Sequence, residues 1–191
     1  MCLKRLLDIC GAFLLLVVFS PLMTYIAFIV HHSSKGPIIY RQKRVGVNGK
    51  IFIIYKFRTM KDKSGKAGID VTSNGDSRIT RVGRFLRASR LDELPQLWNV
   101  IKGEMSLVGP RPYTPEIAKL VTSTASQNYV ERTKMKPGIT GLAVLQRNSK
   151  ELKGIVEDLH YDVLYVRKWS FWMDTTILFK TPFVMLKRVG I

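Results

Sequence analysis

The amino-acid sequence predicts an α+β fold that is mainly helical and associated with a membrane. An apolar N-terminal segment, residues 9–34, contains no Asp, Glu, Lys or Arg. Two short runs rich in β-branched and aromatic residues, 37–41 and 51–58, follow it around a turn and predict a small β-hairpin. Apolar residues at helical spacing fill much of the remainder, and the chain ends with two predicted helices, at 150–168 and 172–188.

The N-terminal segment is long enough for a membrane helix, which needs ~20 apolar residues. Ser20-Pro21 lies at its middle, where a proline removes a backbone donor and collides with the preceding turn. Each arm is then about ten residues or ~15 Å long, about half the thickness of a hydrocarbon core. Two alternatives follow: a re-entrant helix broken at Ser20-Pro21, and a Pro-kinked helix that spans the membrane.

Basic residues flank this segment on both sides. Lys4 and Arg5 precede it, and Lys35 and Arg41 are among those that follow. Positively charged flanks prefer the cytoplasmic side of a membrane, so both ends favour the same side, as a re-entrant helix requires. A cleavable signal peptide fits less well, because no small-x-small cleavage site follows the apolar run.

The whole chain is strongly basic, with 31 Lys and Arg against 14 Asp and Glu, a net charge of +17 and a pI of about 10.1. This excess favours a polyanionic partner: nucleic acid, anionic lipid headgroups or a phosphorylated metabolite. The only cysteines are Cys2 and Cys10. No disulfide framework is therefore predicted, which fits a cytosolic location.

Two further predicted helices meet at an acidic pair. The first, residues 78–88, carries a stripe of arginines that ends at Arg87, and the second covers residues 93–102. Asp92 and Glu93 lie at the start of the second helix, where the helix dipole and free N–H groups favour phosphate. The first helix therefore leads an arginine directly to the two carboxylates.

Asp92 and Glu93 also have basic neighbours in Arg90 and, farther along the chain, Arg111. Adjacent acidic residues are most often surface or helix-start residues. Carboxylates beside several bases, however, are the groups that metal-assisted chemistry on a phosphorylated substrate needs. The pair is therefore the predicted reaction centre.

Several motifs occur together in the order that is characteristic of one protein family. They are Lys4-Arg-Leu-Leu-Asp8, Lys56-Phe-Arg-Thr-Met60, Asp76-Ser-Arg-Ile-Thr80, Leu91-Asp-Glu-Leu-Pro-Gln-Leu-Trp-Asn-Val100, Met105-Ser-Leu-Val-Gly-Pro-Arg-Pro112 and Pro137-Gly-Ile-Thr-Gly141. With these motifs and the central Ser20-Pro21, nearly the whole chain resembles the bacterial sugar transferases. These are the monotopic phosphoglycosyl transferases that begin glycan assembly on a polyprenol carrier. At 191 residues the chain is similar to their minimal catalytic form, so further N-terminal transmembrane helices are not expected.

The resemblance implies transfer of a sugar 1-phosphate from a UDP-sugar to polyprenol (undecaprenyl) phosphate, with release of UMP and with Mg²⁺ as the cofactor. It implies that Asp92 is the nucleophile and forms a covalent aspartyl phosphosugar intermediate. Glu93, together with Asp92, would hold the metal. The resemblance also favours the re-entrant alternative for the helix at Ser20-Pro21.

The same resemblance divides the chain into a re-entrant membrane helix, residues 1–34, and a catalytic domain, residues 35–191. The domain is expected on the cytoplasmic face of the bacterial inner membrane. Anionic membrane lipids are expected as partners, and nucleic acid is not. Interfacial helices are expected in the domain, because residues 172–188 mix aromatic residues with Lys and Arg. A helix packed on the core in the ordinary way is the alternative there.

Cationic residues of the motifs are the expected substrate contacts, because guanidinium groups bind phosphate oxygens in bidentate geometry. In order of preference they are Arg111, Arg87, Lys56 and Arg58. Asp162 matches an acidic position of the family and is also expected to contact substrate. A structural role within a helix is the alternative for Asp162.

One motif departs from the family pattern. The Pro-Gly-Ile-Thr-Gly turn is commonly followed by Leu or Trp, then Ala, Gln and Val. Here Leu142-Ala143 leads into Val144, and the glutamine is displaced to Gln146. The departure leaves the core chemistry intact but puts the sugar or nucleotide contacts of this loop in doubt.

Other functions would account for parts of the sequence. A magnesium-dependent phosphohydrolase at the membrane would direct the same groups at water instead of a lipid phosphate. A basic, membrane-anchored protein that binds nucleic acid or has a structural role would explain the charge and the apolar segment. Neither of these binding or structural roles would explain the clustered acids.

Overall fold

The computed structural model describes residues 2–61, 76–146 and 152–189. Its elements are α1 (Cys2–Ser33), β1 (Ile39–Val45), β2 (Ile51–Phe57), α2 (Arg81–Ser89), a 3₁₀ turn (Leu91–Gln96), α3 (Leu97–Lys102), β3 (Ser106–Val108), α4 (Pro115–Arg132), β4 (Gly138–Thr140), α5 (Leu142–Gln146), α6 (Leu152–Lys168) and α7 (Phe171–Val189). The described chain is mostly helical with a small antiparallel hairpin and one apolar N-terminal helix, which confirms that part of the prediction. Residues 61–77 are rich in Lys, Gly, Asp and Ser, which predicts a mobile loop, and they lie largely outside the described residues.

Helix α1 is continuous through Pro21, where the sequence predicts a break. Pro21 has no N–H, so the carbonyl of Val17 loses its helical partner. The Ser20 hydroxyl donates to this carbonyl at 2.8 Å, and the Thr24 hydroxyl donates to the Ser20 carbonyl at 3.0 Å. Side-chain hydrogen bonds thus satisfy the backbone around the proline, and the predicted break is corrected to a continuous helix.

One face of α1 packs on the rest of the protein. Its buried residues are separated by 4 or by 14 positions, close to one turn and to four turns of a helix with about 3.6 residues per turn, so they lie on one face. They are Lys4, Asp8, Ala12, Ile26 and Val30. The most exposed apolar residues of the helix are Leu3, Leu6, Phe13, Leu14, Val17, Val18, Tyr25 and Phe28. Among the described residues, α1 is the one helix that is long and apolar enough to cross a membrane.

Buried polar contacts fix the N-terminal turns of α1. Lys4 donates to the carboxylate of Asp174 in α7 at 2.6 Å and to the carbonyl of Val108 in β3 at 2.9 Å. Asp8 accepts a hydrogen bond from the Ser106 hydroxyl at 2.9 Å and one from the backbone N–H of Leu107 at 2.8 Å. Because buried charges require partners, these contacts specify where this end of the helix lies.

The C-terminal end of α1 is fixed to the same domain. Arg58, which follows β2, is buried and donates to the carbonyl of Val30 at 2.9 Å and to the carbonyl of Ser34. Ile26 and Val30 also pack against Phe57. A guanidinium at this place satisfies carbonyls that the helix leaves without partners and offsets the negative end of its dipole. Both ends of α1 therefore contact one folded domain.

Strands β1 and β2 form the predicted hairpin and pair in antiparallel fashion along their whole length. Asn99 of α3, which is fully buried, links the hairpin to the segment that follows the acidic pair. Its side chain donates to the carbonyl of Ile53 at 2.7 Å and accepts from the N–H of Tyr55 at 3.2 Å. This contact fixes the position of Lys56, the next residue of β2.

Strands β3 and β4 form a short parallel pair, and the backbones beyond them cross in close contact. A Cβ atom on Gly138 would lie 2.1 Å from the nitrogen of Gly109, and one on Gly141 would lie 2.3 Å from the Gly109 carbonyl oxygen. Only glycine permits backbones to approach this closely. The loop that carries Arg111 is therefore held directly against the turn at residues 137–141.

The main core lies where α1, β2, α3, β3, α6 and α7 meet. Its buried residues include Ala12, Ile54, Val100, Met105, Tyr165 and Ile177. Helix α7 buries Asp174 and Ile177 on one side, while Trp172, Phe179 and Phe183 are 76%, 72% and 67% exposed. The helix therefore packs on the core, as one of the two alternatives for this segment predicts, and it also presents aromatic side chains outward.

Candidate active site

The acidic pair lies in the 3₁₀ turn between α2 and α3. Arg90 follows α2 in the left-handed conformation, with a φ of 56°, and turns the chain. Asp92 and Glu93 come next, and α3 begins only at Leu97. The sequence predicts a helix from residue 93. The residues before α3, Leu91–Gln96, form a 3₁₀ turn instead.

Cationic side chains surround Glu93. Lys56 lies 2.9 Å from its carboxylate, Arg111 lies 3.4 Å away and Arg90 lies 3.7 Å away. Burial alone would raise the pKa of Glu93, but the charges of Lys56, Arg111 and Arg90 outweigh it and hold the pKa well below its usual range. Glu93 is therefore a stable anion that gathers cations from the hairpin, the turn and the loop after β3.

Asp92 is as buried as Glu93 but has a different environment. The main influences on the Asp92 carboxylate are burial and neighbouring charges, whereas a hydrogen bond from Lys56 also acts on Glu93. Burial and the adjacent charge of Glu93 raise the pKa of Asp92 to about 6, against the opposing charges of Lys56 and Arg87. The two carboxylates therefore differ: Glu93 is held in ion pairs, whereas Asp92 is available to react. Neighbouring acids whose pKa values are driven apart are typical of active sites.

Arg87 reaches the site from α2. Its Nε donates to the hydroxyl of Thr59 at 2.8 Å. Helix α2 can approach Thr59 this closely because Gly83 has no side chain, and a Cβ atom there would lie 2.0 Å from the Thr59 carbonyl oxygen. Arg87 is thereby held where its charge acts on Asp92.

Arg111 reaches the site from the loop between β3 and α4. The backbone crossing at Gly109 fixes the beginning of this loop, and Arg132 donates to the carbonyl of Arg111 itself. The charge of Glu93 raises the pKa of Arg111; burial opposes this effect and the charge of Asp158 adds to it. The Arg111 guanidinium is thus held in its charged form beside the acidic pair.

The structure brings together five of the predicted site residues, namely Asp92, Glu93, Lys56, Arg87 and Arg111. It places Arg58 and Asp162 in other surroundings. The guanidinium of Arg58 binds carbonyls at the end of α1. Asp162 is 1% exposed and forms an ion pair with Arg132 at 2.5 Å. Arg58 therefore holds the end of α1, and Asp162 holds Arg132. For Asp162 this is the structural role that the sequence predicts as the alternative to substrate binding.

Two arginines outside the predicted set also belong to this region. Arg90 directly precedes the acidic turn and lies near Glu93. Its position beside the acidic pair in the sequence could therefore have identified it as a site residue. Arg132 lies in the last turn of α4, outside every motif, and only the fold brings it to Arg111. No local pattern in the sequence could have found Arg132.

The family model for bacterial sugar transferases matches residues 1–188 of this chain. The chain belongs to the bacterial sugar transferase family. The predicted membership is therefore confirmed.

Curated relatives of the family align with almost the whole chain. A UDP-glucose:undecaprenyl-phosphate glucose-1-phosphate transferase of Klebsiella pneumoniae is 43% identical over 183 residues, covering 94% of this chain and 39% of the relative. An undecaprenyl-phosphate galactose phosphotransferase of Salmonella typhimurium is 40% identical over 208 residues, which cover 98% of this chain and 41% of the relative. A UDP-glucose:undecaprenyl-phosphate glucose-1-phosphate transferase of Caulobacter vibrioides is 39% identical over 181 residues, which cover 93% of this chain and 67% of the relative. The chain therefore spans about two fifths of the first two relatives and two thirds of the third.

The carboxylates of this bacterial sugar transferase fit part of a magnesium site. Asp92 and Glu93 offer the oxygen ligands that Mg²⁺ prefers, and the ion commonly binds through one or two carboxylates plus phosphate oxygens and water. Within the described ranges, no group of three or more His, Cys, Asp or Glu could hold a metal. The remaining ligands would then come from water and from the phosphate oxygens of a substrate.

The departure from the family pattern lies in α5. Position 144, where the family commonly has glutamine, carries Val144, which is buried, whereas Gln146 is exposed. The valine side chain therefore fits the apolar surroundings of this position. Residues 147–151, which follow Gln146, lie outside the described part of the chain.

Proposed function

We propose that this protein transfers a sugar 1-phosphate from a UDP-sugar to undecaprenyl phosphate and releases UMP. The observation that carries the proposal is the division of roles within the acidic pair. Glu93 is held by Lys56, Arg111 and Arg90, while the buried carboxylate of Asp92 beside it is available. Relatives whose names describe such a transfer align over more than nine tenths of this chain, which supports the proposal.

In the first step, Asp92 is the nucleophile. Its carboxylate oxygen attacks the phosphorus that carries the sugar and forms an oxygen–phosphorus bond. The bond from this phosphorus to the bridging oxygen of the diphosphate breaks, and UMP leaves with the electron pair. An acyl phosphate then joins the sugar 1-phosphate to the enzyme. A carboxylate serves as a nucleophile at neutral pH when the phosphoryl charge is masked.

In the second step, a phosphate oxygen of undecaprenyl phosphate attacks the same phosphorus. The acyl–phosphate bond breaks, so that the polyprenol diphosphosugar leaves and the Asp92 carboxylate is restored. Lys56, Arg87 and Arg111 surround the pair and would bind the phosphoryl oxygens in both steps, the arginines in bidentate geometry. When bound by Glu93 and the diphosphate, Mg²⁺ would neutralise charge on the leaving group.

The membrane arrangement is part of the same proposal: α1, although continuous through Pro21, is re-entrant in the sense that both of its ends stay on one side of the membrane. The domain lies on the cytoplasmic face of the bacterial inner membrane. Buried contacts at Lys4 and Asp8 and at Val30 attach both ends of α1 to one domain, whereas a spanning helix would separate its ends. The exposed apolar side chains in the middle of α1, from Phe13 to Phe28, with Trp172 and Phe183 of α7, would contact lipid. The net charge of +17 favours anionic headgroups.

Single cysteines on the two flanks of α1 test this topology. In a protein that carries Cys2→Ser and Cys10→Ser, we expect Leu3→Cys and Arg41→Cys to react with a membrane-impermeant maleimide from the same side. Both native residues are exposed, so labelling reports the side of the membrane and not burial. Inside-out vesicles should be labelled at either position and right-side-out vesicles at neither. Labelling of the two positions from opposite sides would contradict re-entrance.

A screen of UDP-sugars tests the proposed activity. The purified protein in nanodiscs is given Mg²⁺ and each UDP-sugar, with and without undecaprenyl phosphate, and UMP and lipid products are measured. Because relatives are named for glucose and galactose, UDP-glucose and UDP-galactose are the first donors to try. We expect UMP and polyprenol diphosphosugar in equal amounts. Steady release of UMP with free sugar 1-phosphate, as a phosphohydrolase would give, or no UMP from any donor, would contradict the proposal.

A further inference from the structure

Arg132 lies behind Arg111, at the junction of α4 and α6, and is 4% exposed. Its Nε and one terminal nitrogen donate to the Oδ2 atom of Asp162, at 3.1 and 2.5 Å. The same terminal nitrogen donates to the backbone carbonyl of Arg111. One buried guanidinium therefore connects an acid of α6 to the main chain of a residue at the active site.

Arg132 also contacts a second point of the same loop. Its guanidinium carbon lies 3.8 Å from the centre of the Tyr113 ring and 5.9 Å from the centre of the Tyr129 ring, both within the range of cation–π contacts. The carbonyl of Tyr113 in turn accepts from the N–H of Val45 at 2.9 Å. A single side chain thus holds the loop at the Arg111 carbonyl and at the Tyr113 ring.

We infer that Arg132 is a positioning residue for the transfer reaction, an inference that rests on the proposed function. Arg132 acts through Arg111: it fixes the backbone of that residue so that the Arg111 guanidinium stays beside Glu93, 3.4 Å away. Asp162 orients Arg132, which explains why this buried acid lies behind the site. Misplacement of a substrate-binding group by about 1 Å can cost roughly 100-fold in rate.

A second ion pair between α4 and α6, on the surface, allows the positioning role of Arg132 to be distinguished from a purely structural role. Arg167 of α6 donates to Glu131 of α4 at 2.9 and 2.6 Å and is exposed. That pair also joins α4 to α6, but it lies on the surface. The buried pair differs in that its guanidinium also holds the loop of Arg111. Removing one partner of a buried ion pair is strongly destabilising, so the effect of a substitution on stability has to be measured beside its effect on rate.

A double-mutant cycle between Arg132→Met and Arg111→Ala tests the inference. Methionine keeps most of the apolar bulk of Arg132 and removes its hydrogen bonds. UMP release is measured in single turnovers with enzyme in excess, so that slow variants remain measurable, and thermal unfolding is followed in parallel. We expect Arg132→Met to lower kcat/KM about 100-fold in the wild-type protein. In the Arg111→Ala background, where no guanidinium remains to be positioned, the same change should cost no more than about 2-fold.

The matched control is Arg167→Met, which breaks the surface pair and should leave kcat/KM within about 2-fold of wild type. Equal losses from Arg132→Met in both backgrounds, or no loss in the wild-type protein, would overturn the inference. Neither outcome would affect the proposed function, which UMP release by the wild-type protein reports. If Arg132→Met does not fold, Asp162→Asn replaces it in the same cycle with the same two expectations, because it removes only the group that orients Arg132.

Discussion

Replacing Asp92 with Asn is expected to lower turnover by roughly 10⁴-fold or more, the scale of loss seen when a catalytic nucleophile is removed. The amide keeps the size of the side chain but cannot attack phosphorus as a carboxylate does. Turnover is measured as UMP release from the donor that the UDP-sugar screen identifies. An Asp92→Asn protein with substantial turnover would rule out covalent catalysis by this residue.

The same substitution should not destabilise the protein. Burial and the charge of Glu93 raise the pKa of Asp92 to about 6 in the folded state, above its usual value of 3.8. At pH 7 the carboxylate is therefore ionised in a place that disfavours its charge, and removing that charge favours the folded state. We expect Asp92→Asn to unfold at a temperature no lower than that of wild type. The loss of turnover can then be assigned to chemistry and not to misfolding.

Replacing Glu93 with Gln is expected to lower both turnover and stability. Glutamine keeps the shape but leaves Lys56, Arg90 and Arg111 gathered around a neutral group. Removing one partner from a buried set of charges costs about 3–5 kcal/mol, measurable by denaturant unfolding. Turnover should fall about 100- to 1000-fold, the range found when a group that stabilises developing charge is lost.

Glu131→Gln is the matched control for this second substitution. Glu131 also accepts hydrogen bonds from an arginine, Arg167, but on the surface. Exposed ion pairs contribute about 0–1 kcal/mol, so the control should stay close to wild type in stability and in turnover. If Glu93→Gln matched this control, the cations would have to be held by other groups, and the role given to Glu93 would be wrong.

Features that depend on local patterns could be predicted from the sequence. A charge-free apolar run predicted α1, and β-branched and aromatic residues on either side of a turn predicted the hairpin. The motif around Asp92, with bases in neighbouring motifs, identified the acidic pair and three of its cationic neighbours: Lys56, Arg87 and Arg111. These predictions succeed because each pattern depends on which residues one helix or strand buries or exposes, and this is encoded locally in the sequence.

Features that depend on long-range contacts could not be predicted. Arg58 lies in a substrate-binding motif, yet the fold brings the end of α1 to it and uses its guanidinium there. Asp162 is paired with Arg132, 30 residues away in the sequence, and no local pattern links the two. The continuity of α1 at Pro21 depends instead on a local contact, the hydrogen bond from the Ser20 hydroxyl, which the presence of a proline alone does not reveal.

The central claim is that Asp92 carries the sugar phosphate from one substrate to the other, and a turnover without the lipid acceptor tests it most directly. The protein is mixed with Mg²⁺ and its UDP-sugar, labelled in the sugar, and quenched in acid before UMP and protein-bound label are measured. A covalent mechanism predicts UMP in an amount no greater than the enzyme, label on the peptide that contains Asp92, and parallel double-reciprocal lines in the steady state. Release of UMP only when undecaprenyl phosphate is present, with lines that intersect, would contradict it and indicate direct transfer within a ternary complex.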